Sequence, residues 1–249
     1  MSLTTLLASV SASGSAVDLT AYTDITTITS FTFFVGCMAM MAASAFFFLS
    51  LNQFDSKWRT SVLVSGLITF IAAVHYWYMR DYFASTGDSP VFFRYVDWIL
   101  TVPLMCVEFY LILKVAGAKQ SLMWKMIGLS VVMLVTGYWG EAVATDQAAL
   151  WGAISGAAYF WIVYEIWLGG AKKLAEAAGG DVLSAHKILC WFVLVGWAIY
   201  PVGYMAGTEG WYSGIFGGLD MDVIYNIGDA INKIGFGLVI YSLAVKKQA

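Results

Sequence analysis

Asp229 and Lys233 stand four residues apart in the last apolar stretch of the chain, residues 220–245, and on a helix of about 3.6 residues per turn they share one face. Lys233 lies near the middle of that stretch. From there its stem cannot easily carry the ammonium to either edge of a bilayer, and a charge at the bilayer centre costs roughly 2.5–3.5 kcal/mol on insertion scales. Something has to compensate. A chemically modified or reactive amine with Asp229 as counter-charge meets the need, and so does a buried ion pair that only fixes packing. The first reading is the stronger one, because ionisable groups inside membrane spans mark functional sites by default.

The third apolar stretch carries Arg94, Asp97 and Glu108. The two carboxyls are eleven residues apart, about three helical turns, which puts them on nearly the same face and about 16 Å apart along the axis. Thr101 and Met105 fall between them, and Arg94, one turn outward, is expected to lower the cost of a buried anion at Asp97. Taken singly, each carboxyl could be a polar residue paired within a bundle and nothing more. Two of them on one face, bracketing a mid-membrane amine, describe a proton relay, with Asp97 and Asp229 flanking the amine and Glu108 across an apolar gap. His75, in the second stretch, could hydrogen-bond Asp97, although a lone histidine is more often a satisfied core group.

In the sixth stretch Trp197, Tyr200, Pro201 and Tyr204 follow the i, i+3, i+4, i+7 spacing of one helical face. Such a stripe is usually core packing. Beside Lys233 and opposite Trp98 it could instead wall a cavity for an elongated apolar ligand held between two indole rings. Pro201 removes a backbone hydrogen bond and permits a kink. Gly152 and Gly156 have the GxxxG spacing that lets helix backbones approach closely, and are read as packing.

These residues need membrane helices to place them. The 249 residues are 60% hydrophobic and 12% charged, against about 25% charged in soluble domains, so the chain is read as an integral membrane protein. Seven apolar stretches of spanning length run over residues 25–50, 60–82, 91–115, 122–142, 148–168, 184–206 and 220–245. The expected fold is all-α, one seven-transmembrane-helix bundle over residues 21–249. Residues 1–20 form an extracellular tail or a weak signal peptide without the usual basic start.

Lys57, Arg59, Lys114, Lys119, Lys125, Lys172, Lys173, Lys187, Lys246 and Lys247 fall on the face with the C-terminus, and Arg80 alone on the other. The expected orientation is therefore N-terminus outside and C-terminus cytoplasmic, in a cell (inner) membrane. Residues 171–178 could form a short amphipathic cytoplasmic helix. Cys37, Cys106 and Cys190 lie inside apolar stretches as buried hydrophobes. Neither a metal site nor a nucleic-acid partner is expected.

Several runs carry a specific resemblance: Arg94-Tyr95-Val96-Asp97-Trp98-Ile99-Leu100-Thr101-Val102-Pro103-Leu104, Glu108-Phe109-Tyr110, Trp197-Ala198-Ile199-Tyr200-Pro201-Val202-Gly203-Tyr204 and Asp229-Ala230-Ile231-Asn232-Lys233. With these the chain resembles the microbial (type 1) rhodopsins, and among them the proteorhodopsins, across all seven stretches. The resemblance implies all-trans retinal bound to Lys233 as a protonated Schiff base, with Trp98, Thr101, Met105, Trp197, Tyr200, Pro201 and Tyr204 around it. Asp97 would be the counterion and proton acceptor, Asp229 the second counterion and Glu108 the cytoplasmic donor.

The set Asp97, Thr101, Glu108 resembles light-driven outward proton pumps, so transport is expected and no enzymatic reaction. A photosensor signalling through a membrane partner is the alternative, and a non-photoactive seven-helix receptor or transporter a third. A nonpolar Met105 resembles green-absorbing members. The family also implies a homo-oligomeric ring, pentamer or hexamer, in membrane lipid. Its members often place a tryptophan near position 34 to meet the His75 counterpart across a subunit interface; Phe34 here removes that donor.

Overall fold

Seven helices long and apolar enough to cross a membrane follow one another in a computed structural model, which describes residues 27–216 and 219–247. They are α1 (Ile28–Gln53), α2 (Ser56–Thr86), α3 (Val91–Ala116), α4 (Gln120–Val143), α5 (Thr145–Ala178), α6 (Gly180–Gly207) and α7 (Met221–Lys246). The expected all-α bundle is thus the observed architecture, and the tail over residues 1–20 lies outside the described residues.

Local chemistry sets the boundaries. α2 starts earlier than its apolar run because Asp55 caps it, Oδ1 accepting from the backbone N–H of Lys57 and Trp58 at 3.1 Å each. It ends on Gly87, whose φ of 74° only a residue without a Cβ adopts freely. α5 bends at Gly169 into the short helix Gly170–Ala178, the amphipathic segment expected from the sequence. α7 begins on Asp220, whose carboxylate accepts from the N–H of Val223 at 3.2 Å.

The bundle turns a soluble protein's pattern partly inside out. Large apolar side chains such as Phe31, Phe70, Phe92 and Phe160 are exposed on its outer surface, while Ser61, Ser65, Thr69, Thr101 and Asn226 are buried between helices. In lipid the outer side chains need no protein neighbour, and the interior ones find hydrogen-bond partners within the bundle. Consecutive spans pack side by side from α1 through α5, and α7 packs against α1, α2 and α6. Contact between α5 and α6 is sparse, leaving a cavity between them.

α6 is broken in its middle. A π turn over Phe192–Gly196 precedes the helical run Ile199–Gly207. Pro201 has no N–H to offer the carbonyl of Trp197, which instead accepts from Tyr200 N–H at 3.1 Å. Regular helical bonding lapses one turn before the proline, at Trp197 and Ala198.

Replacing Asp55 by Ala should cost about 1 kcal/mol of stability and lower the thermal midpoint in detergent by roughly 2–4 °C, with Asp55→Asn restoring most of the loss. An unchanged midpoint would show that the cap contributes nothing.

Candidate functional site

α7 and α3 bring the amine and its carboxylates together at the centre of the bundle. Lys233 Nζ donates to Asp97 Oδ2 at 2.5 Å and to Asp229 Oδ2 at 2.6 Å, and all three side chains are buried. One turn of α7 supplies the Asp229 contact, and α3 supplies the other from across the interface. The pairing expected from spacing is therefore present. Tyr200 Oη donates to Asp229 Oδ1 at 2.7 Å, so that carboxylate has both oxygens engaged. Asp97 Oδ1 has no protein partner, which leaves one oxygen of this carboxylate able to take a proton.

The neighbouring backbone fixes the amine's position. Asn232, next in sequence to Lys233, donates to the carbonyl of Gly196 at 2.8 Å, in the π turn of α6. A Cβ at Gly196 would run into Asn232 Oδ1, so a side chain there would displace the amide that bonds the Gly196 carbonyl. Thr101 Oγ1 is spent on the backbone carbonyl of Asp97 at 2.9 Å.

Glu108 sits at 0% exposure and accepts from Ser65 Oγ at 2.7 Å, while its Oε2 has no protein partner. Ser65 Oγ also lies 3.3 Å from the carbonyl of Ser61. Ser61, Ser65 and Thr69 recur at four-residue spacing and are all buried. This polar stripe in an apolar span was visible in the sequence, and the reading passed it over.

Two expected partnerships are not formed. Arg94 turns away from Asp97. Its guanidinium donates to Asp222 Oδ1 at 2.6 Å and Asn226 Oδ1 at 3.3 Å, and lies over the rings of Phe33 and Tyr225. Asp222, in the first turn of α7, is the carboxylate that Arg94 reaches, whereas Lys233 is the cation at Asp97. His75 Nδ1 bonds the carbonyl of Ile71 one turn back at 2.8 Å, and no hydrogen bond joins His75 to Asp97. Phe34 is half-exposed, with Arg80 over its ring.

The cavity between α5 and α6 has a volume of about 620 Å³, within the range of small-molecule sites. Trp98, Trp197, Tyr200, Pro201 and Tyr204 line it as expected. Met105 and Thr101 do not: both are buried in α3, outside its walls. Gly152 and Gly156 line it too, which corrects their reading as a backbone packing motif. The space at Gly152 is filled by the Tyr204 ring, 2.6 Å from where a Cβ would stand, and at Gly156 it is open.

Lys233 is not among the residues lining the cavity; Tyr200, which lines it, donates to Asp229, and Asp229 in turn accepts from Lys233. An apolar, elongated chromophore suits walls of this composition, and the amine that would hold it is linked to them through Asp229 and Tyr200. The residues present fit retinal.

Replacing Lys233 by Ala strands two buried carboxylates and should destabilise the unloaded protein by about 3–5 kcal/mol. Adding Asp97→Asn should return part of that loss. Strict additivity of the two changes in thermal unfolding would contradict the coupling.

The sequence profile of the bacteriorhodopsin-like protein family matches residues 27–247. Over 241 residues the chain is 42% identical to the green-light absorbing proteorhodopsin of Gamma-proteobacterium EBAC31A08, covering 96% of this chain and 92% of the relative. Over 243 residues it is 41% identical to the blue-light absorbing proteorhodopsin of Gamma-proteobacterium Hot 75m4, covering 95% and 96%. The crystal structure of blue light-absorbing proteorhodopsin from Med12 superposes with a TM-score of 0.73 at 38% identity, covering 88% of this chain and 98% of that one. The seven-helix bundle, the buried lysine between two aspartates and a profile that runs from α1 to α7 agree: the chain belongs to the bacteriorhodopsin-like family.

Proposed function

We propose that this protein is a light-driven outward proton pump that carries all-trans retinal on Lys233. The observation that carries the proposal is the ammonium of Lys233 held between Asp97 and Asp229, with a second, separate carboxyl at Glu108. Identities of 42% and 41% to proteins named green-light and blue-light absorbing proteorhodopsins support the light-driven part of this reading. Retinal would be held covalently by Lys233, with Trp98, Trp197, Tyr200, Pro201 and Tyr204 enclosing it. When bound it supplies visible absorption and a light-driven isomerisation.

The chain's own groups do the rest. At rest the Lys233 nitrogen keeps its proton because two carboxylates stabilise the positive charge. Asp97, already hydrogen-bonded to that nitrogen through Oδ2, accepts the proton after light. Glu108, far from any cation and enclosed by apolar groups, is the store that reprotonates the nitrogen. Glu108 accepts from Ser65 Oγ, which also lies 3.3 Å from the Ser61 carbonyl, so this store is joined to the hydroxyl stripe of α2.

Direction comes from charge placement. The ends of the bundle that carry Lys57, Lys114, Lys119, Lys172, Lys173, Lys246 and Lys247 share one side. The positive-inside rule makes that side cytoplasmic and the N-terminus external, in the inner cell membrane. Asp97 then faces outward from Lys233, and Glu108 faces the cytoplasm. Green absorption rests on the nonpolar Met105, and a homo-oligomeric ring on the family likeness. No enzymatic reaction is part of the proposal.

Cells expressing the protein with retinal should acidify their medium on illumination, and a protonophore should abolish the signal. Absence of light-driven acidification would overturn the proposal. Asp97→Asn should remove outward transport altogether.

Lowering the pH until Asp97 protonates removes negative charge beside the Lys233 nitrogen, so the visible band should move to the red as transport is lost. A spectrum unchanged through that titration would contradict Asp97 as counterion.

A further inference from the structure

The relay from Glu108 through Lys233 to Asp97 leaves Glu141, in the outward half, unused. Glu141 stands in the last turn of α4, in a π turn over Trp139–Val143. π turns are rare, and they occur frequently at functional sites. Tyr95 Oη donates to Glu141 Oε2 at 2.7 Å, and Oε1 faces Gly207 at the end of α6. Tyr95 lines the cavity and packs edge-on against Trp98 at 5.1 Å. Among the described residues no cation lies within ion-pair distance of Glu141.

Asp222, another carboxyl at this end, is different in kind: it accepts from the Arg94 guanidinium at 2.6 Å and from Ser89 Oγ at 2.8 Å, and so is paired with a cation. The charges that act on Glu141 are those of Arg94 and Asp222, already paired with each other. The other titratable groups facing it are Tyr95 on α3, Tyr204 on α6 and Tyr225 on α7. The three aspartates Asp97, Asp222 and Asp229 already outnumber Lys233 and Arg94, so an ionised Glu141 would add a second uncompensated negative charge to this half of the bundle.

We propose that Glu141 is the group that releases the pumped proton to the outside, with Tyr95 as its positioning residue; the inference rests on the pump reading above. At rest Glu141 holds a proton. Transfer from the Lys233 nitrogen to Asp97 carries positive charge from the fourth turn of α7 to the second turn of α3, closer to the end that bears Glu141. The Glu141 O–H bond then breaks, the proton enters external water, and the carboxylate keeps the Tyr95 hydroxyl as donor. The proton on Asp97 later moves to Glu141, which restores both groups.

The test is time-resolved release from the retinal-loaded protein, followed with a pH dye outside and with infrared carboxyl bands. Glu141→Gln still accepts from Tyr95 and should take up retinal and colour normally. Proton appearance outside should lag deprotonation of the Lys233 nitrogen by about tenfold more than in the unsubstituted protein. The carboxyl band lost at release should vanish from the difference spectrum. Release on the original schedule with that band intact would overturn the proposal. Should E141Q fail to accumulate, Tyr95→Phe keeps the carboxyl and removes its donor; slower release supports the proposal and unchanged timing overturns it. An unsubstituted protein that moves no protons in light would sink the pump reading instead.

Discussion

A positive charge at the centre of an apolar bundle exists here only because two carboxylates meet it at hydrogen-bond distance. Any change in the position or charge of the Lys233 nitrogen therefore changes the balance among three groups at once. The surrounding structure holds those groups still. Tyr200 fixes Asp229, Asn232 ties α7 to the π turn of α6, and Thr101 fastens the backbone beneath Asp97. In a medium that offers no water to an orphaned ion, such a centre is stable in a small number of proton arrangements, and transport consists of moving among them.

The asymmetry of the bundle supplies a direction. Toward the lysine-bearing end, Glu108 has one hydroxyl partner and lies among apolar side chains. Toward the other end stand Arg94, Asp222, Asn226, Tyr95 and Glu141, a polar path with many partners. A proton on Asp97 thus faces separate clusters of polar groups on one side and an apolar interval of about three helical turns on the other. The two sides differ in how readily a proton can pass, which a pump requires.

Much of this was legible in the sequence. Lys233, Asp229, Asp97 and Glu108 break an apolar background in which a charge is costly, so each announces itself, and helical spacing then places them. The cavity wall was readable from the face shared by Trp197, Tyr200, Pro201 and Tyr204. Partner choice was not. Arg94 could pair with any carboxylate within reach, and only the fold shows that α7 presents Asp222 while Asp97 is occupied. Gly152 and Gly156 carry a spacing that serves helix contact and cavity lining equally well, and the neighbouring Tyr204 decides between them. Ser65 and Glu141 escaped notice for opposite reasons: serine is common in membrane helices, and Glu141 lies at a span's end, where a solvated carboxylate is unremarkable.

The central claim is that the buried amine of Lys233 carries a light-absorbing polyene beside Asp97. It is tested most directly by a visible spectrum of the purified protein after adding retinal, taken alongside the Lys233→Ala variant. The account predicts a band in the visible for the unsubstituted protein, far to the red of free retinal, and only the free-retinal absorption for the variant. A colourless unsubstituted protein, or the same visible band in both, would contradict it.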